Sequence, residues 1–95
     1  MKYFKCEIGT DMMGTDATLV VAFDDDTSDE YIEEYFHDTA IDNAESYGVL
    51  DDAKAECEEA GIEFIADEHY SYEYEELVDM TVEEIEEEYG EVEYV

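Results

Sequence analysis

The chain has 95 residues and sets 32 Asp and Glu against three Lys and no Arg, a formal net charge of -29. Self-repulsion on that scale opposes any compact state, and it excludes nucleic acid or an anionic membrane surface as a direct partner, so the favoured partner is basic. Hydrophobic residues nevertheless make up 45% of the chain, with nine Tyr and four Phe, which separates it from the low-hydrophobicity signature of disordered chains and suits one domain with one modest core.

Residues 2–9 (KYFKCEIG) alternate, with Phe4, Cys6 and Ile8 on one face and Tyr3, Lys5 and Glu7 on the other, the period of a half-buried strand. A loop from Gly9 to Asp16 leads to a second strand, Ala17 to Phe23, and the two are expected to form a hairpin. Thr27 followed by Glu30 reads as a capping box that opens a helix over Asp29–Tyr47, with Gly48 as its stop. A short helix is expected from Asp51 to Ala60, ended by Gly61, then a strand from Ile62 to Ala66. Tyr70, Tyr72 and Tyr74 alternate with Glu73 and Glu75 in a further strand, predicting a second hairpin that turns near Asp67–Glu68. Thr81 and Glu84 form another capping-box pattern for a last helix that runs to Gly90, and Glu91 to Val95 read as an edge strand or a loose tail. Neither Pro nor a Gly/Ser linker nor an internal repeat divides the chain. The expectation is a single α+β domain spanning 1–95: an antiparallel sheet of about four strands, the main helix on one face, and one or two shorter helices at the periphery.

Catalysis requires groups of contrasting character held together. With 32 carboxylates some pair always sits close, so closeness alone is uninformative. His37 follows Glu33 by one turn, but a di-metal bundle requires a second Glu-x-x-His, which His69 does not supply, so His37 reads as a solvated surface residue. An EF-hand loop begun at Asp24 would place Asp29 at the glycine position and Tyr35 at the glutamate position, and the pattern fails. There is no phosphate-cradling Gly-rich loop and no zinc-spaced Cys/His set. The chain therefore reads as a non-enzyme without a cofactor or dedicated metal. Cys6 and Cys57 are expected to be reduced thiols, no apolar run approaches the ~18–20 residues that span a bilayer, and no secretory leader opens the chain, so a soluble cytoplasmic protein is expected.

The acidic residues themselves are the candidate site. The outer face of the main helix carries Asp29, Glu30, Glu33, Glu34, Asp38, Asp42 and Glu45; Glu73 and Glu75 line one strand face; Glu83, Glu84, Glu86, Glu87 and Glu88 crowd the last helix. Carboxylates one helical turn apart stand about 5–6 Å from one another, near the spacing of successive phosphates, and duplex DNA carries one charge per ~1.7 Å of axis. Solubility needs a net charge of only about 2–8 in a small domain. The excess points to imitation of a phosphate backbone, with an acidic chaperone or scaffold for basic proteins, a halophilic protein and a cation-binding protein as the alternatives. The tyrosine row reads as a core or dimer face, or as an interface anchor, and a homodimer would lengthen the charged surface.

In composition and size, an Arg-free, Tyr-rich acidic chain with helices such as Asp29–Glu45 and Glu83–Glu88 resembles the DNA-mimic anti-defence proteins of bacteriophages and mobile elements, including anti-restriction proteins, acidic anti-CRISPR proteins and uracil-DNA glycosylase inhibitors. The folds of those families are unrelated, so the likeness assigns no residue. It implies a phage or mobile-element origin and, as target, a host defence or DNA-processing enzyme.

Overall fold

Alternation of Phe4, Cys6 and Ile8 with polar neighbours produces β1 (Lys2–Thr10), and the buried run that follows the loop produces β2 (Ala17–Phe23). In the computed structural model, which describes residues 1–95 throughout, these strands pair antiparallel in the register Phe4↔Val21 and Cys6↔Leu19. At the hairpin end the Asp16 carboxylate lies over Gly9, in the space a Cβ there would take. The loop is tied internally by Thr15, whose hydroxyl donates to the Met12 carbonyl at 2.7 Å, and externally by Asn43, whose amide donates to the Thr15 carbonyl at 3.1 Å.

The main helix is α1 (Asp29–Ser46), which places Ile32, Phe36, Ala40 and Ala44 against the sheet. Its cap is Ser28, whose hydroxyl accepts from the Tyr31 N–H, rather than the expected Thr27. Thr27 is engaged in the preceding turn, its N–H bonded to the Asp24 carbonyl and its own carbonyl to Lys2 Nζ at 2.9 Å. Gly48, in the left-handed conformation at φ 72°, links directly to α2 (Val49–Ala60), which begins two residues before the expected Asp51 because Val49 is drawn into the core. Gly61 ends α2 through bonds to the Cys57 and Glu58 carbonyls.

The α+β class, the four strands and the packing of one long helix on the sheet agree with expectation, whereas the identity of one strand and the pairing of another differ. Residues 62–65 form no strand, and a 3₁₀ turn at Ala66–Glu68 replaces the second hairpin. Glu68 and His69 donate backward to the Ile65 and Ala66 carbonyls, which turns the chain into β3 (Tyr70–Glu76) before a hairpin partner can align. The fourth strand is β4 (Glu93–Tyr94), the edge-strand alternative offered for Glu91–Val95, which follows α3 (Val82–Tyr89) and runs parallel to β2, so the sheet is mixed rather than antiparallel as expected, in the order β3-β1-β2-β4. The expected capping box at Thr81 and Glu84 is present.

Alternation assigns the two sheet faces. Phe4, Cys6, Ile8, Val21 and Phe23 form a continuous core with the inner face of α1, and Phe4 and Phe36 stand 6.2 Å apart. Val20 and Ala22 point the other way and are also buried. That face belongs to α3. Tyr94, opposite Ala22 in the ladder, has its hydroxyl pKa raised by burial, by Tyr3 and by Glu86 of α3, while Lys5 is raised by Glu7 and then by Tyr89 of α3. The result is a three-layer α/β/α arrangement. Its radius of gyration is 15.7 Å, against about 12 Å for an average domain of this length, and its extents are 50 × 27 × 17 Å.

Ile85 of α3 is fully buried. Ile85→Ala should lower the free energy of unfolding by about 2–5 kcal/mol, read from the urea midpoint at constant slope. A change within about 0.5 kcal/mol would mean a surface position, and the third layer would not be packed.

Candidate interaction surface

Every one of the 32 carboxylate residues is exposed. On α1 the residues opposite the buried stripe are Glu30, Glu34, Asp38, Asp42 and Glu45. The first four recur at intervals of four residues, hence about 6 Å of axial rise each, and the row runs about 22 Å from Glu30 to Glu45. Asp29 stands in the first turn, where the helix dipole favours a carboxylate. On the far side of the sheet α3 carries Glu83, Glu86, Glu87 and Glu88, all exposed, around the inward Ile85. The two helical rows therefore face opposite directions. Glu73 and Glu75 extend from β3 on the α3 side of the sheet, beside Lys5 and Glu7.

Three candidate residues have local partners that sequence spacing did not reveal. Glu33 accepts from the Tyr72 hydroxyl at 2.6 Å and, through its other oxygen, from the Tyr74 hydroxyl. Glu75 lies 3.5 Å from Lys5 Nζ, which Glu7 approaches to the same distance. Glu84 closes the α3 capping box, accepting from the Thr81 N–H and hydroxyl. Of the remaining candidates, Asp38 has its Oδ1 3.8 Å from His37 Nδ1, and the others form the free charged surface.

The tyrosine row faces α1. Tyr70 is buried, Tyr72 and Tyr74 are half-buried with parallel rings 6.5 Å apart, and Phe36 lies 4.9 Å from Tyr74. Tyr70 thus belongs to the core, and Tyr72 and Tyr74 pack against it with part of each ring still exposed. His37 is likewise not solvated on all sides: its Nε2 meets the Tyr70 hydroxyl at 2.7 Å, and that hydroxyl donates to Asp67 at 2.7 Å, so the ring donates to the phenol oxygen. His69 stacks on Phe64 and bonds Asp11 at 2.8 Å.

Hydrogen bonding sets the directions of the shifts. The Tyr72 and Tyr74 hydroxyls lower the Glu33 carboxyl pKa, and the same bonds, with burial second, push both tyrosines up to about 12. Tyr70 is pushed up to about 12 by burial first and by its bond to Asp67. Asp25 also moves down, through its hydrogen bond to the chain's amino terminus. Cys6 and Cys57 are free and buried, and burial with Glu7 nearby pushes the Cys6 thiol up to about 11, which makes it a weak nucleophile. No three His, Cys, Asp or Glu side chains converge as metal ligands, and no helix is long and apolar enough to cross a membrane.

A tyrosine pKa raised by folding contributes stability that is complete below the unfolded value of about 10 and is lost as pH climbs through the folded one. The tyrosinate absorbance titration should show Tyr70, Tyr72 and Tyr74 ionising late, near about 12, with stability falling between about pH 10 and that point. Glu33→Gln should return Tyr72 and Tyr74 toward the ordinary range and leave Tyr70 late. Unchanged titration in the variant would show that the Glu33 bonds do not form in solution. Glu33 itself contributes above the ordinary carboxylate pKa, and its contribution is lost as pH falls through the lowered one. Carboxylates about 6 Å apart on α1 lie inside the ~10 Å Debye length of 0.1 M salt and outside the ~3 Å length of 1 M. The melting temperature at neutral pH should accordingly rise between about 0.1 M and about 1 M salt; a flat profile would contradict net repulsion.

The chain matches no protein-family model, no curated protein and no solved structure, so its role has to be read from its own geometry and charge.

Proposed function

We propose that this protein is a DNA mimic that inhibits a nucleic-acid-binding enzyme by occupying its basic cleft, acting through its surface rather than by catalysis. The observation that carries the reading is linear charge density. The molecule is 50 Å long and bears 29 net negative charges, and 50 Å divided by 29 is about 1.7 Å per charge, the axial charge spacing of duplex DNA. The α1 row supplies the main contact, because its five carboxylates lie on one helix face with no Lys paired to any of them, and α3 supplies a second row on the opposite face. A flat site meets one row at a time; a deep channel or a clamp meets both. The likeness in composition to phage and mobile-element inhibitors supports a restriction, CRISPR or DNA-repair enzyme as the target and the host cytoplasm as the place of action, where the buried thiols of Cys6 and Cys57 remain reduced.

The test is affinity capture from host lysate, followed by competition with the captured enzyme's own DNA. Mimicry requires one dominant nucleic-acid enzyme that DNA displaces. Many basic proteins held loosely would indicate an acidic chaperone, and binding that depends on calcium would indicate a cation carrier. Against the confirmed target, reversal of Glu30, Glu34 and Asp38 to Lys should weaken binding by about tenfold or more and flatten its salt dependence. Reversal of Glu83, Glu86 and Glu87 reports the second row in the same way. If neither triple reversal changes affinity, the charge is a solvated coat and the mimicry reading is wrong.

A further inference from the structure

β3 is an edge strand, and its outer side is unpaired. It was the expected partner of residues 62–66, which form no strand, and nothing else in the chain takes that place. The pairing with β1 identifies which backbone groups are free. The Leu77 N–H donates to the Tyr3 carbonyl at 2.7 Å and the Asp11 N–H to the His69 carbonyl at 3.4 Å. Hydrogen-bonded pairs alternate along an antiparallel ladder, so Lys5↔Glu75, Glu7↔Glu73 and Gly9↔Ser71 fall in the same bonded class. The N–H and C=O groups of Ser71, Glu73 and Glu75 therefore point to β1, and those of Tyr70, Tyr72, Tyr74 and Glu76 point away from the sheet.

An open groove of about 650 Å³ lies along this edge. Glu7, Glu73 and Glu75 line it on one sheet face, Glu33, Tyr72 and Tyr74 on the other, and its one cation, Lys5, is already shared by Glu7 and Glu75. Glu7 and Glu73 are direct cross-strand neighbours, an arrangement of like charges that costs stability unless a cation intervenes. A second copy of this chain is a poor occupant: two β3 strands placed edge to edge would set Glu73, Glu75 and Glu76 against one another, which is how edges avoid self-pairing. The charge fits the opposite kind of strand.

We propose that the outer edge of β3 takes up an extended basic segment of a protein partner as a fifth strand, pairing its backbone with Tyr70, Tyr72, Tyr74 and Glu76 and setting alternate Lys or Arg side chains against Glu73 and Glu75. Residues of that segment on the other face meet the Tyr72 and Tyr74 rings, where an Arg guanidinium gains a further cation–π contact. Strand addition of this kind takes affinity from main-chain bonds and specificity from alternate side chains. It does not depend on mimicry of DNA, which concerns the helical rows.

The probe is a synthetic peptide of about eight residues, within the roughly 3–10 residues of a strand, alternating Lys with Val. Binding should slow amide hydrogen exchange at Tyr70, Tyr72, Tyr74 and Glu76. Methylating the peptide's backbone nitrogens on the alternate set that faces β3 should weaken binding by about tenfold or more while leaving every charge in place. Methylating the other set should change it little. Glu73→Lys combined with Glu75→Lys should abolish measurable binding of the unmodified peptide, with the four outward amides exchanging as before in the free variant. Equal affinity of all the methylated peptides would reduce the contact to charge alone and overturn the proposal. So would absence of binding, absence of protection at the four amides, or protection already present from self-association.

Discussion

Mutual repulsion among 29 uncompensated negative charges is the constraint that orders the rest of this structure. A buried carboxylate without a cation is prohibitively costly, and three lysines cannot pair with 32 acids. All the acids therefore remain at the surface, and the interior is left to a small set of aromatic and aliphatic side chains around Phe4, Phe23, Ile32 and Phe36. A sphere would minimise exposed apolar area but also the distances between charges. Coulomb energy falls with separation, and a thin three-layer body 50 Å long separates the charges while still burying both faces of β2.

The same constraint explains which parts of the fold were legible. Where an element must keep acids out and apolar groups in, alternation has no slack: Phe4, Cys6 and Ile8 in β1, and Ile32, Phe36, Ala40 and Ala44 in α1, could be read directly. Local capping was legible at Thr81 and Glu84, where both members lie within one turn, and missed by one residue at Thr27, because Lys2, 25 residues away, holds that residue in the preceding turn. The Ile62–Ala66 run has strand composition, but composition carries no information about whether a partner edge is reached before the chain turns. The two-residue β4 owes its existence to β2 and to the placement of α3, neither of which is local to residues 93–94.

The candidate site divides along the same line. Exposure of the acidic rows on α1 and α3 followed from helical period alone. The role of Glu33 did not, because its partners Tyr72 and Tyr74 are 39 and 41 residues distant and reach it only through the register that sets Cys6 opposite Tyr74. Helical spacing placed Glu33 one residue from Glu34 and gave both the same reading; the structure makes one a strut between helix and sheet and leaves the other facing outward.

That strut is built from tyrosine in a chain that has no arginine. A carboxylate can be held in place by a cation or by a neutral donor. Arginine would supply geometry and remove the charge, whereas a phenol supplies a short, charge-assisted bond and leaves the full negative charge on the acid. Tyr72 and Tyr74 do this for Glu33 and Tyr70 does it for Asp67, while Tyr35 is raised by burial and by Glu93 beside it. The acid is thus fixed in position without being neutralised. The same residue type also fills the core: the Tyr74 ring packs against Phe36 while its hydroxyl reaches Glu33. Tyr70, Tyr72 and Tyr74 therefore add to the core and hold two acids in place while leaving their negative charge undiminished.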